Sequence, residues 1–360
     1  MTRTITLSVD QLYRAQPGGI GTYVRGLSAG LTALGDPSLE VVGLAPRGVR
    51  PAEAADLKLD FESAAFSQRF LTRLWPLWPI GVPRRSHVVH ATSMAGPFSG
   101  GRRGAVHSVA VHDLLWRDEP GAAARSGIRF HEGRLKILSR REDIRVFTSS
   151  PGLGERLRIE GFDPSRLHRI RLGVDDDASA PSSVDAVRAY LIQHGVAGPF
   201  TLYAGTREPR KNIERLIRAH RSSRAVCPDL GPLVLAGSPG WGVVETDDAT
   251  ILGVVDRSLL KGLFRDATVF AYVPRAEGWG LPAVEALHAG TRVVASSTTP
   301  SVSANREVVL VDPLDEASIS AGLLRTLEQS TDVASRDRRR NSVSDLTWRN
   351  CALDHLAGWQ

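Results

Sequence analysis

The chain has 360 residues, which at about 150 per domain predicts two domains, each large enough for its own core. Its 42% hydrophobic and 23% charged residues exclude wholesale disorder and fibres. The net charge of +6 comes from 45 cations against 39 anions, and only Lys58, Lys136, Lys211 and Lys261 are lysines. That bias reads as the base composition of the source genome rather than as function. Cys227 and Cys351 are too few for a disulfide framework and lack metal-ligand spacing, which fits a reducing cytoplasm. Residues 1–16 hold no apolar core of a signal peptide, and no run of about 18 apolar residues crosses a membrane.

Short β-branched runs alternate with amphipathic stretches along the chain. Residues 4–10, 39–45, 88–92, 108–113 and 145–150 read as buried strands, and residues 21–34 as a helix with Tyr23, Leu27 and Leu31 on one face. The series repeats with strands at 200–205, 232–237, 251–255, 267–273, 291–296 and 308–312. Helices at 212–224, 256–265, 281–289 and 315–327 lie between them. Such alternation predicts an α/β class with two doubly wound, Rossmann-like domains, each a parallel sheet covered on both faces. Residues 175–183, DDDASAPSS, have the small, polar composition of a linker and put the boundary near 180. In open α/β sheets ligands bind beyond the carboxyl ends of the strands. Two such sheets facing each other would enclose a cleft, so chemistry is to be sought at strand ends.

The strongest local signal is residues 274–286, PRAEGWGLPAVEA, between a predicted strand and a predicted helix. Gly278 and Gly280 allow a tight turn and close approach to a ligand, and Pro282 suits the first helical position, where its missing N–H would be unpaired anyway. Backbone N–H groups around Gly280 and Leu281 would form an anion site suited to a diphosphate. Glu285, one turn in, can reach ribose hydroxyls, and Glu277 would point into the cleft. Alternatively both glutamates only favour the positive end of the helix dipole. A second signal is residues 203–212, YAGTREPRKN, where Arg210 and Lys211 sit at the start of the next helix. Cations there oppose the dipole, and a bound anion would relieve the conflict; a solvated basic turn is the alternative. Residues 18–23, GGIGTY, join the first strand to the first helix but lack the third glycine of a dinucleotide fingerprint, Val24 standing where it is due. His112 and Asp113 end a strand of the first domain.

Together these residues resemble the retaining family 4 glycosyltransferases of the GT-B fold, also described as glycosyl transferases group 1. Glu277 and Glu285, in EGWGLPAVE, are similar to that family's Glu-x7-Glu motif, and residues 205–212 to its phosphate-binding loop. Residues 18–23 resemble its N-terminal glycine turn, and His112-Asp113 its active-site pair. The resemblance covers nearly the whole chain, and implies that the last residues, 346–360, pack back on domain 1–180 after a second domain of 181–345.

The resemblance assigns the donor diphosphate to Arg210, Lys211, the backbone of Gly280 and Leu281, and the Gly19 turn. It assigns the ribose to Glu285 and the base to the backbone near Val255. Glu277 would contact the transferred sugar, and His112 its hydroxyls near the reacting carbon. It further implies a metal-independent reaction without a cofactor. The co-substrate is a nucleotide sugar, GDP-mannose ahead of UDP- or dTDP-sugars, and the acceptor a glycan or lipid-linked saccharide. The chain departs from its relatives at 148–153, TSSPGL, on the acceptor side, and at 297–305, which has no acid before Glu307. These departures keep open a non-catalytic sugar-nucleotide-binding or partner subunit. Asp175 and Asp177 form an Asp-x-Asp that could hold a divalent metal, but they open the linker rather than end a strand. Residues 70–80, FLTRLWPLWPI, followed by Arg84 and Arg85, could rest on the inner face of an anionic membrane; a helix packed inside the first domain is the alternative. No nucleic-acid-binding module accompanies the basic charge.

Overall fold

The computed structural model describes residues 2–48, 51, 54, 57, 59–119, 121, 124–174, 180–240 and 244–360. The chain divides into two compact units, and each is a doubly wound α/β layer structure. Unit 1 comprises Met1–Arg117, Ala123–Asp175 and Asp345–Gln360; unit 2 comprises Asp118–Ala122 and Asp176–Ser344. Most of the linker, residues 175–179 with Asp175 and Asp177, lies outside the described residues.

Unit 1 is built on seven strands, β1 Arg3–Ser8, β2 Leu39–Ala45, β3 Asp60–Ser63, β4 Val88–Ala91, β5 Val106–Ala110, β6 Ile144–Thr148 and β7 Leu167–Arg169. They pair in parallel in the order β3-β2-β1-β4-β5-β6-β7. Its helices are α1 Gly18–Ala33, α2 Gln68–Leu74, α3 Leu115–Asp118, α4 Arg125–Arg140 and α5 Pro151–Ile159. Strand β4 is buried at every position, as expected of a central strand covered on both faces. The edge strands β3 and β7 carry no apolar run and were not foreseen. Helix α1 begins at Gly18, three residues before the predicted start, so the glycine turn is the first turn of the helix itself. Strand β5 ends at Ala110, and His112 therefore lies in the loop beyond it rather than on the strand.

Unit 2 holds helix α6 Val184–Gln193, then strands β8 Thr201–Ala204, β9 Leu233–Ala236, β10 Ala249–Gly253, β11 Val269–Tyr272, β12 Val293–Ser296 and β13 Val308–Val311. Their order is β10-β9-β8-β11-β12-β13, again parallel. Helices α7 Ile213–Val226, α8 Arg257–Asp266, α9 Leu281–His288, α10 Glu316–Leu327 and α11 Val333–Asn341 cover the sheet. The strand order reverses at β1/β4 in unit 1 and at β8/β11 in unit 2. Carboxyl ends of strands at such a reversal are where open α/β sheets leave a crevice.

The C-terminal helix α12, Trp348–Gly358, belongs to unit 1 and lies against α1. Gly26 and Gly30 make the close approach possible: a Cβ on Gly26 would fall 2.1 Å from the Trp348 ring, and one on Gly30 2.1 Å from the Trp348 carbonyl oxygen. Trp359, just past the helix, is fully buried. Val174 N–H donates to Leu346 at 3.0 Å, and Arg171 pairs with Asp354 at 2.6 Å, fastening the segment at its flank.

Candidate active site

In unit 2 the loop after β8 turns through the 3-10 segment Pro209–Lys211 and enters α7 at Asn212. Asn212 has φ 62°, the one positive value outside glycine among the described residues. Asparagine tolerates this left-handed conformation better than most side chains. Its amide donates to the carbonyls of Val273 at 3.0 Å and Pro313 at 2.7 Å, which fixes the turn and so the two preceding cations.

Those cations meet a carboxylate. Lys211 is 7% exposed; its Nζ donates to Glu277 Oε2 and, at 2.6 Å, to the Tyr272 hydroxyl. The Tyr272 hydroxyl in turn donates to Glu277 Oε2 at 2.5 Å. Arg210 Nη1 lies 3.3 Å from the same oxygen, while its Nε pairs with Glu208 at 2.9 Å. Burial pushes the Glu277 carboxyl up, but Lys211 and Arg210 outweigh it and hold the group at about 2. Burial likewise lowers Lys211, against the attraction of Glu277. The conflict between two cations and a helix N-terminus is thus answered by the chain's own glutamates. Glu208 and Tyr272 were not singled out from sequence. A tyrosine closing the buried run VFAY of β11, five residues before Glu277, was the available signal.

Gly280 caps α9 with φ 100°, and a Cβ there would lie 2.4 Å from Thr299 Cγ2, so only glycine fits. Ser301 Oγ donates to the Gly280 carbonyl at 3.0 Å, and Leu281 follows as the first residue of α9. Glu285, one turn on, has its carboxyl raised by burial, with Arg257 and Lys261 of α8 pulling the other way. Helix α8 is capped by Asp256, whose Oδ1 accepts from Leu259 N–H at 2.8 Å. Val255 is the residue before that cap, past β10, which stops at Gly253.

In unit 1, His112 lines a largely apolar cavity of about 320 Å³ with Ile20, Met94, Trp116, Phe130 and Arg14. Its Nε2 donates to the Thr92 carbonyl at 2.8 Å. Burial lowers its pKa from 6.5, partly offset by that carbonyl and by Asp113, so the ring is neutral near pH 7. Asp113 Oδ1 accepts from the N–H of Leu115, the first residue of α3, at 3.0 Å. Gly19 lies in the first turn of α1, with open space where a Cβ would stand. Among the described residues no group of three or more His, Cys, Asp or Glu side chains could hold a metal ion.

The family described as glycosyl transferases group 1 matches residues 198–329, which include every unit 2 site residue named above. The O-antigen chain mannosyltransferase B of Escherichia coli is 27% identical over 263 residues, 69% of this chain and 68% of that protein. The D-inositol 3-phosphate glycosyltransferase 2 of Catenulispora acidiphila is 31% identical over 193 residues, 47% of this chain and 45% of that protein. Among solved structures, sucrose-phosphate synthase from Thermosynechococcus elongatus superposes with a TM-score of 0.71 at 20% identity, over 99% of this chain and 98% of that one. Anabaena HepE, in complex with UDP and glucose, gives 0.72 at 15% identity with the same coverages. The two doubly wound units are those of the GT-B fold, and the chain is a glycosyltransferase homologue carrying a glycosyl transferases group 1 domain at residues 198–329.

Proposed function

We propose that this chain moves a sugar from a nucleotide-sugar donor to a hydroxyl of a glycan or lipid-linked saccharide, with retention at the anomeric carbon and without a metal. The observation that carries the reading is the Arg210–Lys211–Glu277–Tyr272 cluster beyond β8 and β11, with Lys211 and Tyr272 buried and Arg210 and Glu277 half-buried. It is an anion site whose present anion is the chain's own Glu277. A diphosphate carries more charge than one carboxylate and competes for both cations. Once displaced from them, Glu277 is free for the transferred sugar, where positive charge develops as the bond to phosphate breaks. Arg210 and Lys211 then stabilise the leaving phosphate.

N–H groups of Gly280 and Leu281 at the start of α9 extend the phosphate site, as helix N-termini do. Glu285 takes the ribose hydroxyls and the backbone at Val255 the base. His112 takes hydroxyls of the transferred sugar. Mannose is favoured by the mannosyltransferase relative in Escherichia coli, and GDP-mannose is the donor proposed to carry it. The test is acceptor-dependent release of GDP from GDP-mannose in EDTA, with UDP-glucose in parallel and a lipid-linked saccharide extract as acceptor. Release that ignores the acceptor would leave a non-catalytic, sugar-nucleotide-binding subunit. Loss in EDTA with recovery in manganese would return the metal role to Asp175 and Asp177.

Membrane contact is proposed at α2 and the turn after it. Phe66, Phe70, Leu77 and Trp78 are 42%, 45%, 61% and 55% exposed, beside exposed Arg69, Arg73 and Arg84, while Leu71 and Trp75 are buried. Aromatic groups flanked by arginines suit the surface of an anionic bilayer. Sedimentation with phosphatidylglycerol vesicles, weakened in Phe70→Ala/Trp78→Ala and absent with phosphatidylcholine, is the expected result. Equal binding by both proteins would contradict it.

A further inference from the structure

A set of buried polar side chains in unit 1 forms a hydrogen-bond chain with a single direction. His355 Nδ1 lies 2.7 Å from the Cys351 carbonyl, which can only accept, so Nδ1 carries the proton and Nε2 is the lone pair. Tyr23 Oη lies 2.7 Å from that Nε2 and must spend its only proton there. It therefore accepts from His90 Nε2, at 2.8 Å. His90 Nδ1 is then a lone pair and accepts from Ser108 Oγ at 2.9 Å, and Ser108 accepts from Trp359 Nε1 at 2.8 Å. The chain leaves the C-terminal segment at Trp359, crosses β5, β4 and α1, and returns at His355 on α12. Tyr23, His90 and His355 are 0% exposed, and burial keeps both imidazoles neutral near pH 7. Every link satisfies its neighbour, so no member can turn without orphaning a buried donor or acceptor.

One ring in this chain also touches the candidate active site. The Tyr23 ring packs edge-on against His112, with centroids 4.9 Å apart at 72°. On its other side His112 is held by the Thr92 carbonyl. Thr92 is itself pinned to β1, its N–H donating to Ser8 Oγ at 3.0 Å and its hydroxyl to the Ser8 carbonyl at 2.7 Å. With Nε2 committed as donor, His112 is left with Nδ1 as its acceptor nitrogen.

We propose that Tyr23 is a positioning residue for His112 and that the C-terminal helix, through His355, holds Tyr23 in place, so that the last turns of the chain support sugar transfer. This rests on the reading of His112 as a residue that works on the transferred sugar. The structural half is tested on the unaltered protein by long-range proton–nitrogen NMR of the imidazoles. His90 and His112 are expected as Nε2–H tautomers and His355 as Nδ1–H; His90 or His355 in the other tautomer overturns the directed chain, and His112 in the other tautomer overturns its hold by the Thr92 carbonyl.

The functional half is a double-mutant cycle read as GDP release from GDP-mannose. Tyr23→Phe keeps the ring and loses the proton that anchors it. Its kcat should fall about tenfold to a hundredfold, the scale of a small misplacement at a reacting centre, with donor KM within about twofold. In a His112→Ala background the same substitution should cost nothing further, because the two act as one unit. Equal losses in both backgrounds would make Tyr23 merely structural and overturn the proposal. Wild-type turnover in His112→Ala alone would instead refute the role of His112, a separate failure. Should Tyr23→Phe not fold, His355→Leu removes the same anchor from the other side and should reproduce the loss of kcat.

Discussion

The two units solve the burial of polar groups in opposite ways. In unit 2, Lys211 is buried and Arg210 and Glu277 half-buried as charges, and each is compensated by the others. In unit 1, His90, Tyr23 and His355 are buried as neutral groups, each satisfied by one donated and one accepted hydrogen bond. A charge cluster can exchange one anion for another, because the cations keep a partner throughout. A directed neutral chain has no such freedom, since rotating one member breaks two bonds. The first arrangement suits a place that a ligand enters, and the second a place that must not move.

The largest effect that would sharpen this contrast is on turnover. Glu277→Gln keeps the size of the side chain but removes the charge from the cluster, and kcat should fall about a hundredfold, in the range seen for lost transition-state stabilisation. Nearly full kcat with a verified acceptor would reduce Glu277 to a counter-ion for Lys211 and Arg210. Nucleotide binding would not by itself reveal this loss, so steady-state kinetics is the measurement.

Next comes pH, where the two regions should separate. His355 is lowered from 6.5 to about 4, first by burial. His112 and His168 push the same way, while the Cys351 carbonyl and Asp354 oppose them. The unfolded state therefore takes up a proton more readily, so this stability is complete above about pH 6.5 and is lost as pH falls towards 4. The difference corresponds to about 3–4 kcal/mol, roughly three-hundredfold in the folding equilibrium. Glu277 is lowered to about 2 against 4.5, so its contribution is complete above pH 4.5 and fades only below. Urea unfolding at pH 7, 5.5 and 4.5 should show a fall that is shallower in His355→Leu. An identical slope in the two proteins would remove His355 from the account.

Smaller effects concern the donor. Lys211→Ala should weaken GDP binding about tenfold or more, since hydrogen bonds to charged groups contribute roughly 1.5–3 kcal/mol; calorimetry with unchanged affinity would refute it. Glu285→Ala should raise donor KM a few-fold with kcat little changed, because the ribose does not react. A selective loss of kcat would place Glu285 at the chemistry instead.

Sequence made the covered strands of both sheets legible because buried parallel strands read as short apolar runs, as in VVHA of β4 and LVLA of β9. It missed DFES of β3 and LHR of β7, since edge strands are solvated and short. The largely polar α4 also went unread, its apolar face being sparse. At the site each motif was visible alone, but not the pairing of Lys211 with Glu277 across 66 positions. The Tyr23–His355 bond spans 332 positions and leaves no local pattern at either end. Contacts of that kind arise from packing of whole elements and have no period to read.

The central claim is that Arg210 and Lys211 form the anion site of a nucleotide-sugar donor, and a thermal-shift comparison in EDTA tests it most directly. A ligand that binds only the folded state raises its stability. Wild-type protein should show a higher Tm with at least one of GDP-mannose, UDP-glucose and a dTDP-sugar, and Lys211→Ala should show little or none of that rise. If none of the three shifts the wild-type Tm, or if Lys211→Ala shifts as far as the wild type, the donor site is not where this account puts it.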